Sequence, residues 1–229
     1  MTPQQLNQIA AAYECIESDI ENDGILNPDL YAACGIKVLW ILKEAWFKDS
    51  WRIMQGDGVY AKIGGSPTLQ PIAYIMHSIF NGFPSFQEME YIRANPEIAE
   101  SLRRIAFINA KKTIGGPRSD DKDVWDHYLL AKVHILEQIE AISPDVIIGC
   151  APHFPDLFKT LSDADNFQKF ESVEWGVSRR GQLLIYAYHP QQTKINRADY
   201  INDIVQLIKT SRADPVAPPN RESVGELNR

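Results

Sequence analysis

The stretch VLWILKEAWF, residues 38–47, decides the fold. Val38, Leu39, Trp40, Ile41 and Leu42 form an apolar run with no polar alternation, shortly after Gly35. Such a run reads as a strand buried on both faces, as in a parallel sheet covered by helices. Ligands of open parallel sheets bind just beyond the carboxyl ends of the strands. Lys43 and Glu44 stand at that end, with Trp46 and Phe47 behind them. The same pair also reads as the first solvated residues after a core strand.

Working outward, three more segments behave like the first. Residues 105–108 are short and apolar and run into Asn109; VIIGC, 146–150, is apolar; QLLIYAY, 182–188, ends at His189-Pro190. Helical patterns separate them. Leu6, Ile9, Tyr13, Ile16 and Ile20 make a stripe over 3–21. Asn27-Pro28-Asp29 opens a short turn or helix. A helix over 68–80, capped by Thr68 or Ser66, places Ile72, Ile75, Met76 and Ile79 on one face. Two shorter helices follow at 85–95 and 96–103. A long one over 123–141 puts Leu129, Val133, Leu136 and Ile139 inside, and a last one spans 195–210. Residues 45–67 and AKKTIGGPRSDD, 110–121, have loop composition. Strands alternating with helices predict a three-layer α/β/α sandwich around a central four-stranded, mainly parallel sheet.

With 229 residues, 45% of them hydrophobic, the chain can build one sizeable core. One domain is expected over 1–210, with a disordered polar tail at 211–229. No apolar run reaches the length of a membrane span, and the N-terminus has no basic region followed by an apolar core. Cys15, Cys34 and Cys150 are odd in number and far apart, which fits a reducing cytoplasm and no disulfide framework. No CxxC pair is present, so neither a structural zinc nor an iron–sulfur cluster is expected, and no cofactor or metal. The net charge of −7 argues against nucleic acid as a partner unless cations cluster. They do so at Lys111, Lys112 and Arg118, at Arg179 and Arg180, and at Lys194 and Arg197.

The ends of parallel strands converge on one edge of the sheet. One carboxylate (Glu44), one carboxamide (Asn109) and one imidazole (His189) then face a single crevice. A carboxamide reads an amide-like edge, an imidazole stabilises a developing anion, and a carboxylate orients water or balances a cation. Together these groups suit hydrolysis of an N-glycosidic bond.

Four strand-end motifs, in order, resemble those of the uracil-DNA glycosylase superfamily. KEAWF, 43–47, stands where one branch has Gly-Glu-Ala-Pro-Gly, so that Glu44 and Ala45 match while Lys43, Trp46 and Phe47 depart. FINAKKT, 107–113, resembles the motif whose Asn bonds the flipped base; ISPDVIIGCAP, 142–152, resembles the helix–strand segment P-x-x-I-x-x-x-G; YHPQQ, 188–192, resembles His-Pro-Ser, with Gln191 in place of Ser. The resemblance covers residues 36–209 and implies a monomeric, monofunctional DNA glycosylase without a cluster. It implies that Glu44 and His189 are catalytic and that Asn109 reads the base, stacked by Trp46, Phe47 or Tyr60. It assigns Lys43, Gly64, Gly65, Ser66, Lys111, Lys112, Arg118, Gln191 and Gln192 to the DNA backbone. The departures fit a modified base, such as the glucosylated hydroxymethylcytosine of phage DNA removed in anti-phage defence, at least as well as uracil. Two rival readings stand beside it: a non-catalytic DNA-binding module, and a nucleoside or nucleotide hydrolase.

Overall fold

The computed structural model describes residues 23–45, 63–116, 118–163 and 167–213. The stripe at 3–21, most of the loop at 45–67 and the tail from 214 lie outside the described residues.

The apolar run at 38–42 is strand β2 (Val38–Leu42), with all five residues buried. Its side chains alternate between two cores. Val38, Trp40 and Leu42 join one, and Leu39 and Ile41 join the other, on the opposite face of the sheet. That double burial is why no polar residue interrupts the run. The other apolar segments become β3 (Ala106–Asn109), β4 (Val146–Gly149) and β7 (Leu183–Tyr186). β3 and β4 flank β2, and β7 pairs with β4, all in parallel.

Among the described residues the sheet has seven strands rather than four. β1 (Gly24–Ile25) adds antiparallel to β3 at one edge. β5 (Gln168–Phe170) and β6 (Val173–Val177) add antiparallel at the other, giving the order β1-β3-β2-β4-β7-β6-β5.

Six α-helices among the described residues cover the sheet. α1 (Pro28–Ala32) is capped by Asn27, whose side chain accepts from the Leu30 N–H. α2 (Leu69–Phe80) buries Ile72, Ile75, Met76 and Ile79, and Ser66 rather than Thr68 accepts from the Leu69 N–H. The helix expected at 85–95 is a single 3-10 turn, Phe86–Glu88, and the next is α3 (Glu97–Glu100) followed by a 3-10 turn. α4 (Asp121–Ile142) begins at the Asp120 cap. Its buried side is Val124, Tyr128, Ala131, Ile135, Ile139 and Ile142, whereas Leu129 and Val133 are exposed. α5 (Phe154–Leu161) was not anticipated, and α6 (Arg197–Ala213) closes the described chain.

α2 and α6 contribute to the core of Trp40, and α4 and α5 to that of Ile41, which gives three layers. The chain leaves β2 towards α2 on one face and leaves β4 towards α5 on the other. Connections departing to opposite faces open a crevice between neighbouring strands at their carboxyl ends. β3, β2, β4 and β7 are followed by α4, α2, α5 and α6 on alternating faces, so the same condition holds along the carboxyl edge from β3 to β7. No helix among the described residues is long and apolar enough to cross a membrane.

Candidate functional site

Pairing continues past the ends of β2 and β3. The Ala110 N–H donates to Leu42 O (2.9 Å), Lys111 N–H to Lys43 O (2.9 Å) and Gly115 N–H to Ala45 O (2.8 Å). Ala45 and Ile114 form a parallel bridge. This extended ladder carries Glu44 against the AKKTIGG loop. A Cβ on Gly115 would fall 2.0 Å from Glu44 Cδ and 2.3–2.4 Å from its two carboxylate oxygens. Only a residue without a side chain lets the carboxylate rest there.

Glu44 is paired with Lys111: Nζ lies 3.2 Å from Oε2, and the side chains are 11% (Lys111) and 5% (Glu44) exposed. Lys111 also donates to Asp123 Oδ2 at 2.5 Å, and His127 Nδ1 lies 3.2 Å from Asp123 Oδ1. Burial pulls the Lys111 ammonium down, but the bonds to Asp123 and Glu44 more than offset it, so its pKa is raised. The bond from Lys111 holds the Asp123 carboxyl below its ordinary range. Lys43 is paired with Asp121 at 2.6 Å.

Lys112 departs from the expected phosphate contact. It is buried, with Nζ 2.8 and 3.1 Å from the Asp23 carboxylate oxygens and 2.7 Å from Gln138 Oε1. Asp23 also accepts from Gln138 Nε2 and from the Asn109 backbone N–H. Burial lowers the Lys112 pKa. This cation faces the interior, where no DNA phosphate reaches it. Asn109 is itself 2% exposed, and among the described residues its carboxamide has no hydrogen-bond partner.

At the far side of the crevice, β7 delivers His189. The buried Tyr200 hydroxyl donates to Tyr188 O (2.8 Å) and fixes the chain just before it. His189 Nδ1 accepts from the Gln191 N–H (3.3 Å). Burial, and then the positive field of Lys43, push the His189 pKa down to about 4. The ring is therefore neutral near pH 7, and with Nδ1 accepting, its proton sits on Nε2. Tyr188 is 43% exposed, with the Lys194 ammonium 5.2 Å from its ring centroid.

The remaining assigned residues divide. Gln191 is exposed, with Oε1 3.5 Å from Thr68 Oγ1, which brings the 63–68 segment beside the His189 loop. Gln192 closes its own turn, accepting from Ile195 N–H and donating to Ile195 O. Gly64 O accepts from Gln70 Nε2 (3.2 Å), Ser66 caps α2, Gly65 is exposed beside them, and Arg118 is exposed. Trp46, Phe47 and Tyr60 lie outside the described residues.

His153 was not among the expected site residues. It is 1% exposed at the start of α5, its ring centroid is 4.9 Å from that of Tyr128, and neither ring nitrogen has a partner among the described residues. Burial, then Lys43, lower its pKa to about 3. Gly149 sets its place: a Cβ there would lie 1.8 Å from the Phe154 ring, so the helix can start against the strand. Among the described residues no cluster of His, Cys, Asp and Glu is arranged to hold a metal ion. No protein-family model matches the chain, and no curated relative matches it.

Proposed function

We propose that the chain is a DNA glycosylase acting on a modified or damaged base, as its strand-end motifs imply. The observation that carries this reading is that Asn109 ends β3, and that Glu44 and a neutral His189 follow β2 and β7, at the carboxyl ends of one set of parallel strands. In this mechanism the target nucleotide leaves the stack and enters the crevice. The C1′–N bond breaks with its electron pair going to the base. His189 Nε2–H stabilises the departing anion, and a neutral imidazole can do so as a hydrogen-bond donor. Glu44 balances the sugar cation and accepts a proton from the water that attacks C1′, leaving an abasic site. Asn109 reads the polar edge of the base with a carboxamide that has no partner among the described residues. Lys43, Trp46, Phe47 and Gln191, where the motifs depart from uracil recognition, fit a modified base such as glucosylated hydroxymethylcytosine at least as well as uracil.

The test is base release from oligonucleotides and phage DNA carrying uracil, hypoxanthine, hydroxymethylcytosine or its glucosylated form, scored as abasic sites. Glu44→Gln and His189→Ala are each expected to lower the rate by about 10²–10³. Wild-type protein that leaves all four bases in place sinks the proposal. A nucleoside or nucleotide hydrolase using the same residues is favoured instead by the carboxylates that neutralise Lys43, Lys111 and Lys112. Duplex affinity that falls steeply with salt counts against that second reading.

A further inference from the structure

The Glu44 carboxylate is held from two sides. On one side the carboxylate occupies the space that a Cβ on Gly115 would need. Beside it stands Lys111, 3.2 Å away. A charged carboxylate almost closed off from water needs a counter-charge, because an unpaired buried ion is strongly disfavoured. Lys111 is the cation seated to supply it. Lys111 is in turn gripped by Asp123 at 2.5 Å, on the first turn of α4. Two carboxylates thus share one ammonium, Glu44 with 5% of its side chain exposed and Asp123 with 43%.

Two of the three N–H donors of this cation are thus committed to protein carboxylates. We propose that Lys111 is the positioning residue of this site: gripped by Asp123, it pins the Glu44 carboxylate on the Gly115 shelf. The raised pKa of Lys111 accords with this geometry, since both carboxylates favour its charged form. The inference rests on Glu44 as the carboxylate that acts on substrate. It reassigns Lys111 from contact with a ligand to control of the residue that makes contact.

The test pairs a structure with kinetics on the full chain. In a crystal structure of Lys111→Met, the Glu44 carboxylate is expected to leave the shelf by about 1 Å or more, a displacement of the size that costs about 10²-fold in rate. In base-release assays the loss should fall on kcat, with KM little changed, because substrate contacts remain. Lys111→Arg, which keeps the charge, should recover the larger part of kcat. Asp123→Asn should cost less than Lys111→Met, since the Glu44 pair survives it. A Glu44 carboxylate unmoved in Lys111→Met overturns the inference. So does a loss confined to KM, which would mark Lys111 as a ligand contact after all. Wild-type protein that releases no base, with the carboxylate displaced in Lys111→Met, removes the glycosylase reading and leaves the positioning role standing.

Discussion

At the β2–β3 end of the crevice, Lys43 meets Asp121, Lys111 meets Glu44 and Asp123, and Lys112 meets Asp23. At the β7 end, Lys194 leans over Tyr188 and Arg197 bonds Gln70 Oε1, and among the described residues neither meets a carboxylate. Both ends look basic in the sequence. Unlike Lys194 and Arg197, the three lysines of the first end can be taken up by a polyanion only by displacing a protein carboxylate. The first uses its lysines as internal counter-ions for the site and the core. Charge beside a buried strand is therefore a different resource from charge on a loop.

The largest effect that would break this contrast is in stability. Asp23→Ala leaves Lys112 buried without its carboxylate and is expected to cost about 3–5 kcal/mol in urea unfolding. Asp23→Leu combined with Lys112→Met should recover most of that. A loss within experimental error would mean that Lys112 is not held as an ion in the interior.

Next comes Gly115→Ala, which forces Glu44 off its seat. Base release should fall by about 10²-fold. The unfolding midpoint should stay close to wild type, because the displaced carboxylate can rotate outward. A rate close to wild type would separate the carboxylate's place from its action.

At the β7 end the consequence is affinity. Lys194→Ala with Arg197→Ala should leave unfolding unchanged. The slope of log affinity for duplex DNA against log salt should become shallower by about 0.9 for each phosphate that the variant no longer neutralises. Equal slopes in the variant and wild type would remove this end from the interface.

A further effect is the pH dependence of stability. His153, with a pKa of about 3 in the fold against an ordinary 6.5, takes up its proton more readily when unfolded. Stability from its neutral form is full above about pH 6.5 and drains away as pH falls towards 3. His189, at about 4, acts in the same direction. His153→Phe should flatten the pH–stability curve in that window, as read by urea melts at pH 7, 6, 5 and 4. An unaltered curve would show that the ring is not held neutral in the interior.

The central strands were legible because burial on both faces leaves continuous apolar runs, and those runs fix which polar residues, Glu44, Asn109 and His189 among them, stand at the strand ends. β1 and β5 were not, since edge strands of two and three residues carry almost no periodic signal. α4 was found but rotated: Leu129 and Val133 are apolar yet exposed, and they drew the expected inner face away from Tyr128 and Ile135. The fate of Lys111 and Lys112 was half readable. Consecutive residues of an extended segment point to opposite sides, so two adjacent lysines could not serve one surface. Their partners Asp23 and Asp123 lie 89 and 12 residues away from them, and only the folded chain brings these groups together.

Cys150, at the end of β4, is buried with its thiol 3.6 Å from Ile41 O, and burial pushes its pKa up to about 12. Alkylation requires the thiolate. In the closed protein, at mildly alkaline pH, Cys150 should thus be inert to iodoacetamide, and labelling must await separation of β4 from β2. With Cys15 and Cys34 replaced by alanine, the labelling rate becomes a clock for the opening of the crevice floor. The chain carries its own reporter of how often the two strands that frame the site come apart.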